Sequence, residues 1–299
     1  MKIVHIEVTT RCNLRCRHCR VNLPGWLRAE DIPMAAVERA LAFAATWPAG
    51  AYCILQGHGE PLVHPDYPAL FARACATCWR GVEFQTNGLL LCPELIDSFC
   101  AIAQGLWKRL KVSIDGPDAE TYRAMRPGAD FAKLLANLAH LGRCAVRPGL
   151  TIECVITRLN LNRIGEMPAF AQNLGADILQ LSPFSAWPGA EELTPTPDEL
   201  RLAMDQALAR QPATLQLASP CRPDNRALCP PCACGEPRNV LFVAVDGSVF
   251  PCCRLREPLG NLATQEIAEI MDGEPRQKFL AGMATHPICG GCQARRARV

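Results

Sequence analysis

The chain has 299 residues, the length of about two domains or of one large domain with an appendage. Hydrophobic residues make up 49% of it, enough for a sizeable core, while 31 basic and 29 acidic residues leave a formal charge of +2. A balance this close to neutral excludes a strong electrostatic attraction to nucleic acid or to an anionic membrane, and neither is expected as a partner.

Over residues 1–185, short apolar runs alternate with longer segments of helical periodicity. This alternation predicts parallel strands joined by helical crossovers. The predicted strands are residues 3–8, 51–55, 81–85, 110–114, 150–156 and 178–181. The predicted helices are residues 33–46, 66–78, 93–104, 119–125, 131–141 and 164–174. Six βα repeats predict an α/β fold whose sheet is either open or a partial barrel, with the chemistry at the carboxyl ends of the strands.

The composition changes after residue 185. Residues 186–198 are rich in Pro, Gly, Thr and Glu and predict a linker, which one more helix, residues 198–209, follows. The dipeptide Asp246-Gly247 predicts a hairpin over residues 239–251. The expected domain division is therefore 1–185, 186–218 and 219–299.

Cysteine is the unusual residue in this composition. The 18 cysteines equal in number all the aromatic residues, which are 10 Phe, 5 Trp and 3 Tyr. No apolar signal region precedes Glu7, and the longest nearly apolar stretch, residues 40–55, contains Pro48 and Gly50 and is too short to span a bilayer. A cytoplasmic location is expected, and there clustered cysteines bind metal more often than they form disulfides.

The first cysteine group, Cys12, Cys16 and Cys19, directly follows the first predicted strand. Its x3 and x2 spacing allows three thiolates to converge on one centre. Because a structural zinc ion takes four closed ligands, three thiolates without a local fourth favour an iron–sulfur cluster with one open iron. Four arginines, at positions 11, 15, 17 and 20, would lower the thiol pKa values and offset the cluster charge.

This Cys-x3-Cys-x2-Cys segment, with His18 before the last cysteine, resembles the radical S-adenosylmethionine (SAM) superfamily. The resemblance implies a partial (βα)6 barrel with SAM bound at the open iron of a [4Fe–4S] cluster. Further stretches match in the expected order along residues 3–185: a Gly-x-Gly-Glu-Pro turn after the second strand, residues 86–88 (Thr-Asn-Gly) after the third, and Lys-Val-Ser-Ile-Asp-Gly-Pro at the end of the fourth.

The resemblance also implies which residues contact SAM. The turn contributes Gly57, Gly59 and Glu60, which in the family bind the SAM amino group. The fourth strand contributes Ser113 and Asp115, toward the ribose or carboxylate, and Arg126 matches an arginine that contacts the SAM carboxylate in some members. His58, where many members have Gly, is interpreted equally as a turn residue or as a catalyst.

The second cysteine group is Cys234-x12-Gly-x4-Cys252 followed by Cys289-x2-Cys292. Four thiolates suit either structural zinc or a [4Fe–4S] cluster, and spacing alone leaves both open. The pattern resembles the C-terminal SPASM/Twitch extension of radical SAM enzymes, a small β-hairpin plus helix that binds clusters. Because few residues follow Cys292, one auxiliary [4Fe–4S] cluster is expected. The remaining cysteines nearby, Cys221, Cys229, Cys232 and Cys253, are expected to be reduced and unliganded, although any of them could replace a ligand.

For function, the resemblance implies an oxidoreductase-like radical SAM enzyme. It would cleave SAM reductively to a 5′-deoxyadenosyl radical that takes hydrogen from a substrate carbon, with the auxiliary cluster passing electrons. A ribosomal peptide or protein is the favoured substrate, and dehydrogenation or epimerisation of a sugar or aminoglycoside type molecule is the alternative. Expected partners are an electron donor such as flavodoxin or ferredoxin and a separate leader-peptide-binding protein. A non-enzymatic iron–sulfur sensor is the alternative of another class.

Overall fold

The computed structural model describes residues 2–22, 30–184, 186, 189–219, 236–253 and 255–291. The chain divides into two compact units. The first unit comprises Met1–Arg11, Ala29–Phe84 and Pro220–Val299, and the second comprises Cys12–Arg28 and Gln85–Ser219.

The elements follow in chain order. Within the described residues the strands are β1 (Lys2–Ile6), β2 (Ala51–Leu55), β3 (Gly81–Thr86), β4 (Trp107–Ser113), β5 (Gly149–Ile156), β6 (Ile178–Pro183), β7 (Gln216–Ala218), β8 (Val240–Val243), β9 (Ser248–Phe250) and β10 (Gly260–Asn261). The helices are α1 (Met34–Ala45), α2 (Tyr67–Thr77), α3 (Pro93–Ala103), α4 (Ala119–Met125), α5 (Phe131–Leu141), α6 (Met167–Asn173), α7 (Pro197–Ala209), α8 (Glu236–Asn239), α9 (Ile267–Asp272), α10 (Glu274–Gly282) and α11 (Pro287–Gly291). Short 3₁₀ turns lie at Arg20–Asn22, Pro61–Val63, Leu161–Glu166 and Glu191–Leu193.

In the first unit the strands lie in the order β10-β9-β8-β1-β2-β3. β1 pairs in parallel with β2, where Ile6 faces Leu55, and on its other side with β8, where Ile6 faces Val243. Four of the five residues of β1 and all four of β8 are buried. Strands with helices or sheet on both faces need such continuous apolar runs, which explains why these segments do not alternate.

In the second unit β4, β5, β6 and β7 follow one another and are all parallel. Helices pack their apolar stripes against the strands: α5 buries Leu134, Leu138 and Leu141, which recur at helical spacing. Ser113 at the end of β4 faces Glu153 in β5, so the carboxyl ends of these strands carry polar side chains.

The predicted α/β class with mainly parallel strands is confirmed. The bounds of β2, α4 and α5 agree with the sequence, and those of the other predicted elements shift by a few residues. The predicted hairpin is present as antiparallel β8 and β9, with Gly247 at φ +79° in the turn between them. It differs from the expectation in one respect, because β8 extends the sheet of the first unit through β1. Along the described part of the chain, every helix is too short or too polar to cross a bilayer.

Candidate functional site

The loop that carries the first three cysteines belongs to the second unit. Cys16 is buried, whereas Cys12 and Cys19 are half-buried. The backbone N–H of Leu14 donates to Cys12 Sγ at 3.4 Å, and the N–H of Cys19 donates to the carbonyl of Cys16 at 3.0 Å. A further backbone bond, from Arg17 to the carbonyl of Met125 (3.0 Å), fastens the loop to the last turn of α4. The predicted loop is therefore a tight structure with an N–H donor directed at a thiol.

A buried ion pair lies next to the loop. Arg126, at the C-terminal end of α4, donates through Nε to Asp115 Oδ2 at 2.7 Å and through Nη1 to Cys16 Sγ at 3.6 Å. The other carboxylate oxygen of Asp115 accepts the backbone N–H of Val155 at 2.8 Å. Each oxygen of Asp115 therefore has a partner within the protein, which fixes the carboxylate in place. The fixed carboxylate in turn holds Arg126 next to the cysteine loop.

Burial and charge set the electrostatics of this cluster. Burial raises the pKa of the Cys16 thiol to about 11, although the charge of Arg126 opposes the rise. Burial lowers the pKa of Arg126, but the charge of Asp115 more than compensates, and the net pKa is raised. His18, buried beside Asp115 with Nε2 3.6 Å from Oδ2, has its pKa lowered to about 4 by burial. It is therefore neutral at pH 7, and among the described residues its buried Nδ1 has no hydrogen-bond partner.

Two asparagines, one following β3 and one following β5, support the site. Asn160, fully buried after β5, donates through Nδ2 to the carbonyls of Asp115 and Val155, both at 2.8 Å. Asn87, after β3, donates to Asn13 Oδ1 in the cysteine loop at 2.8 Å. These bonds fix the backbone around Asp115 and the loop.

The predicted SAM residue Ser113 is buried at the end of β4. Its hydroxyl oxygen accepts a hydrogen bond from Gln85 Nε2 at 3.0 Å. Sequence reasoning missed Gln85 and Asn160. The available signal was a polar residue at or just beyond the carboxyl end of an apolar strand, where parallel folds place ligands.

The predicted turn at Gly57, Gly59 and Glu60 lies in the first unit. The N–H groups of Gly59 and Glu60 donate to the carbonyls of Thr9 and Arg11 at 3.2 and 2.8 Å. Glu60 is 2% exposed, and its carboxylate caps the following 3₁₀ turn by accepting Leu62 N–H at 3.2 Å. The turn thus forms a short ladder with the segment that leads directly into Cys12.

A second buried carboxylate, Glu7 at the end of β1, adjoins this turn. His58 donates to Glu7 Oε1 through its backbone N–H at 3.1 Å and through Nδ1 at 2.5 Å. Arg256 Nη2 lies over the edge of the His58 ring, 3.0 Å from Nδ1 and 3.1 Å from Nε2, and its guanidinium lies 5.7 Å from the ring centre of Phe250. The tautomer with hydrogen on Nδ1 satisfies both partners, since Nε2 then accepts from Arg256.

These contacts stabilise the ionised form of the Glu7 carboxylate. Burial raises the pKa of Glu7, but the hydrogen bonds and charge of His58, with the charge of Arg256, lower it more, so the net pKa is below the ordinary value. Glu7 Oε2 is a buried oxygen with no hydrogen-bond partner in the described part of the chain. No signal in the sequence identified Arg256, whose contact with His58 spans 198 positions.

Of the four predicted auxiliary ligands, two lie in the described part of the chain. Cys252 follows β9 and Cys289 lies in α11, and both are half-buried, while Cys253 is exposed. Cys234 and Cys292, together with Cys221, Cys229 and Cys232, lie outside the described residues. The four-thiolate set therefore stays a prediction.

Comparison with protein families decides the class. Residues 6–171, more than half of the chain, match the family described as the radical SAM superfamily. The chain belongs to the radical SAM superfamily. Residues 232–293 match the SPASM family, described as an iron–sulfur cluster-binding domain. Its cofactors are accordingly SAM, a [4Fe–4S] cluster and auxiliary iron–sulfur clusters, as the sequence resemblance implied.

Relatives of this radical SAM enzyme align along most of its length. The AdoMet-dependent heme synthase of Methanosarcina barkeri is 28% identical, over 98% of this chain and 91% of that protein. The mycofactocin maturase MftC of Mycobacterium ulcerans is 29% identical, over 96% of this chain and 78% of that protein. Among solved structures, Streptococcus suis SuiB bound to its precursor peptide SuiA superimposes with a TM-score of 0.70 at 15% identity, over 95% of this chain and 66% of SuiB. At that identity the likeness concerns the fold.

The residues of the loop fit the cluster of a radical SAM enzyme. Thiols are the ligands such clusters take, and here three of them share one loop with an N–H donor to Cys12 Sγ and the Arg126 guanidinium at Cys16 Sγ. Positive groups and hydrogen bonds directed at sulfur stabilise thiolate ligands. His18 Nδ1, in the same loop, is a further polar atom that is buried and has no hydrogen-bond partner among the described residues.

Proposed function

We propose that Cys12, Cys16 and Cys19 hold the [4Fe–4S] cluster of this enzyme and that the enzyme abstracts hydrogen from a substrate carbon. The observation that carries the proposal is the approach of Arg126 Nη1 to Cys16 Sγ at 3.6 Å, with Asp115 holding that guanidinium in place. When bound, the cluster and SAM supply a 5′-deoxyadenosyl radical. The residues of the chain bind, orient and enclose these groups.

The proposed SAM contacts follow from chemistry. Glu60 and the backbone of Gly57 and Gly59 would receive the SAM amino group, because a buried carboxylate suits a cation. Arg126 would receive the SAM carboxylate through the part of its guanidinium that Asp115 leaves available. Ser113, at the end of β4, and Asp115, two residues later, would border the SAM site. Asp115 would act mainly by positioning Arg126.

For the C-terminal region we propose one auxiliary [4Fe–4S] cluster bound by Cys234, Cys252, Cys289 and Cys292. The match of residues 232–293 to an iron–sulfur cluster-binding domain supports it. Four thiolates leave no open iron, so the cluster would pass electrons rather than bind substrate. The domain division 1–185, 186–218 and 219–299 is proposed with it. An electron donor of the flavodoxin or ferredoxin class would reduce the enzyme.

A ribosomal peptide or protein is the proposed substrate. MftC is a maturase, and SuiB, which shares this fold, binds a precursor peptide; both support a precursor of that kind. A separate protein would bind the leader of the peptide.

A small-molecule substrate is the second candidate. It is favoured by the alignment with the heme synthase, which extends over 91% of that protein.

The test supplies substrate to the anaerobically reconstituted enzyme. Short peptides encoded beside its gene, deuterated at carbon, are incubated with SAM and dithionite and analysed by mass spectrometry. The proposal expects deuterium in 5′-deoxyadenosine and a peptide of changed mass. Unchanged peptide together with conversion of a small molecule would contradict the peptide assignment.

Neighbouring cysteines give a matched control for the auxiliary cluster. Cys252→Ala is expected to lower the iron content from about eight to about four per chain, whereas Cys253→Ala keeps it near eight. Product formation is expected to fail in Cys252→Ala while 5′-deoxyadenosine still forms. Equal iron contents in the two variants would exclude Cys252 as a ligand.

A further inference from the structure

Two helices of the second unit bring together four side chains that the cluster chemistry does not use. Asp97 and Cys100 lie three residues apart on α3, so they share one helix face. His140 lies in the last turn of α5, and Cys144 follows that helix after a turn in which its N–H donates to Leu141. Carboxylate, imidazole and thiol therefore meet in a part-exposed cluster.

The donor atoms of this cluster are already close. His140 Nε2 lies 2.9 Å and Cys144 Sγ 3.8 Å from Asp97 Oδ1, and the donor atoms of these three residues all lie within 4.8 Å of one another. Cys100 lies beside Cys144: burial, and then this neighbouring thiol, raise the pKa of Cys100 to about 11. Tetrahedral zinc, with Zn–S near 2.3 Å and Zn–N or Zn–O near 2.0–2.1 Å, separates its ligand atoms by about 3.3–3.8 Å. The donor atoms of Asp97, His140 and Cys144 are already near that spacing, and Cys100, beside Cys144, is available as a fourth ligand.

The donor set selects the metal. Two thiols with one imidazole and one carboxylate suit zinc better than magnesium or calcium, which take oxygen ligands. Binding releases the two thiol protons, so Zn²⁺ with two thiolates and a carboxylate carries a net charge of −1. Arg143 Nη2, 3.4 Å from His140 Nδ1, offsets that charge, and because Arg143 is exposed it can turn away when Nδ1 carries the hydrogen.

We propose that Asp97, Cys100, His140 and Cys144 bind a structural zinc ion that joins α3 to the end of α5. All four positions are protein ligands, as in closed structural sites, so the ion has no open position for catalysis. Its effect is to fasten the two helices together. The site is independent of the cysteine loop and of the auxiliary cysteines.

The test measures zinc in the holoenzyme, with its iron–sulfur clusters reconstituted first so that zinc does not enter the cluster sites. After limiting zinc is added and excess is removed, mass spectrometry of metals should find about one zinc per chain, with X-ray absorption showing two sulfur and two nitrogen or oxygen ligands. Cys144→Ser and His140→Ala should lose that zinc. Cys92→Ser, an exposed cysteine just before α3, should retain it, and iron content should not change in any variant.

Three outcomes overturn the proposal. The first is a holoenzyme that binds no zinc under these conditions. The second is zinc that persists in both Cys144→Ser and His140→Ala. The third is a Cys100–Cys144 disulfide, found by peptide mapping of protein purified without oxygen.

Discussion

Gly59 is a residue whose identity is dictated by backbone approach. A Cβ atom at this position would lie 2.5 Å from the carbonyl oxygen of Thr9 and would also overlap that of Arg11. Backbone atoms cannot move aside as a flexible side chain can. The glycine of this turn is therefore required by its ladder with the segment before Cys12, independently of any ligand.

Gly59→Ala is expected to destabilise the enzyme by roughly 1–3 kcal/mol because the turn must move away from Thr9 and Arg11. Gly282→Ala is the matched control: its Cβ would meet nothing within 4 Å, at the end of α10. Anaerobic urea unfolding measures both. Equal unfolding free energies in the two variants would show that the turn accommodates a side chain.

Glu7 links stability to pH. Its folded pKa is lowered, so its carboxylate contributes stability that is fully present above the unfolded pKa, about 4.5, and is lost as pH falls through the folded value. Glu7→Gln removes the charge that His58 and Arg256 stabilise. Its stability deficit relative to the natural chain is expected at pH 7 and should shrink as pH falls below about 4.5.

Unfolding free energies between pH 7 and about pH 4 measure that deficit. Glu83→Gln on β3 is the control for loss of a carboxylate away from His58, since Glu83 accepts from Tyr52 instead. A Glu7→Gln deficit that stays constant as the solution is acidified would contradict the network.

Candidate site residues could be proposed from the sequence where the chemistry is local. The cysteine loop and the Gly-Glu turn each occupy one short segment, so their spacing is enough to suggest them. Asn160 and Arg256 act on groups 45 and 198 positions away, and only the fold brings them there. The pairing of Arg126 with Asp115 also changes an interpretation, since the carboxylate of Asp115 is occupied by the protein.

At the scale of elements, α4 is the helix whose stability affects the candidate site, because Arg126 lies at its C-terminal end. Asp118 caps it by accepting the N–H groups of Glu120 and Thr121, both at 2.9 Å, and Arg126 closes its other end. α5 has an equivalent cap in Asp130, which accepts Lys133 N–H at 3.0 Å, but α5 does not carry Arg126. The two helices form a natural comparison.

Asp118→Ala and Asp130→Ala are each expected to cost about 1 kcal/mol of stability through loss of a cap. Only Asp118→Ala should also weaken SAM binding, by up to roughly fivefold, because the position of Arg126 depends on α4. Urea unfolding and equilibrium SAM binding measure the two effects. A similar loss of SAM affinity in both variants would show that the cap acts through general stability.

The elements that sequence reasoning found and missed differ in burial and length. β5 and α5 are long and bury regular apolar positions, so their periodicity identified them. β7 has three residues and β10 two, too few for a pattern. α10 was missed because none of its described side chains is buried, which leaves no apolar stripe to read.

At the scale of the whole molecule, the cysteine content divides among different roles. The proposed clusters and zinc site use nine of the eighteen cysteines. Cys53, Cys78 and Cys154 are fully buried and serve as small apolar core residues. The excess of cysteine therefore reflects both metal binding and packing.

The central claim is that the Cys12 loop carries the cluster at which SAM is cleaved. The most direct test measures 5′-deoxyadenosine formed from SAM and dithionite by the anaerobically reconstituted enzyme, its Cys16→Ala variant and the control Cys92→Ala. The natural chain and Cys92→Ala are predicted to form the nucleoside, and Cys16→Ala is predicted to form none above background. Equal nucleoside from Cys16→Ala, or none from a natural chain with its full iron content, would contradict the claim.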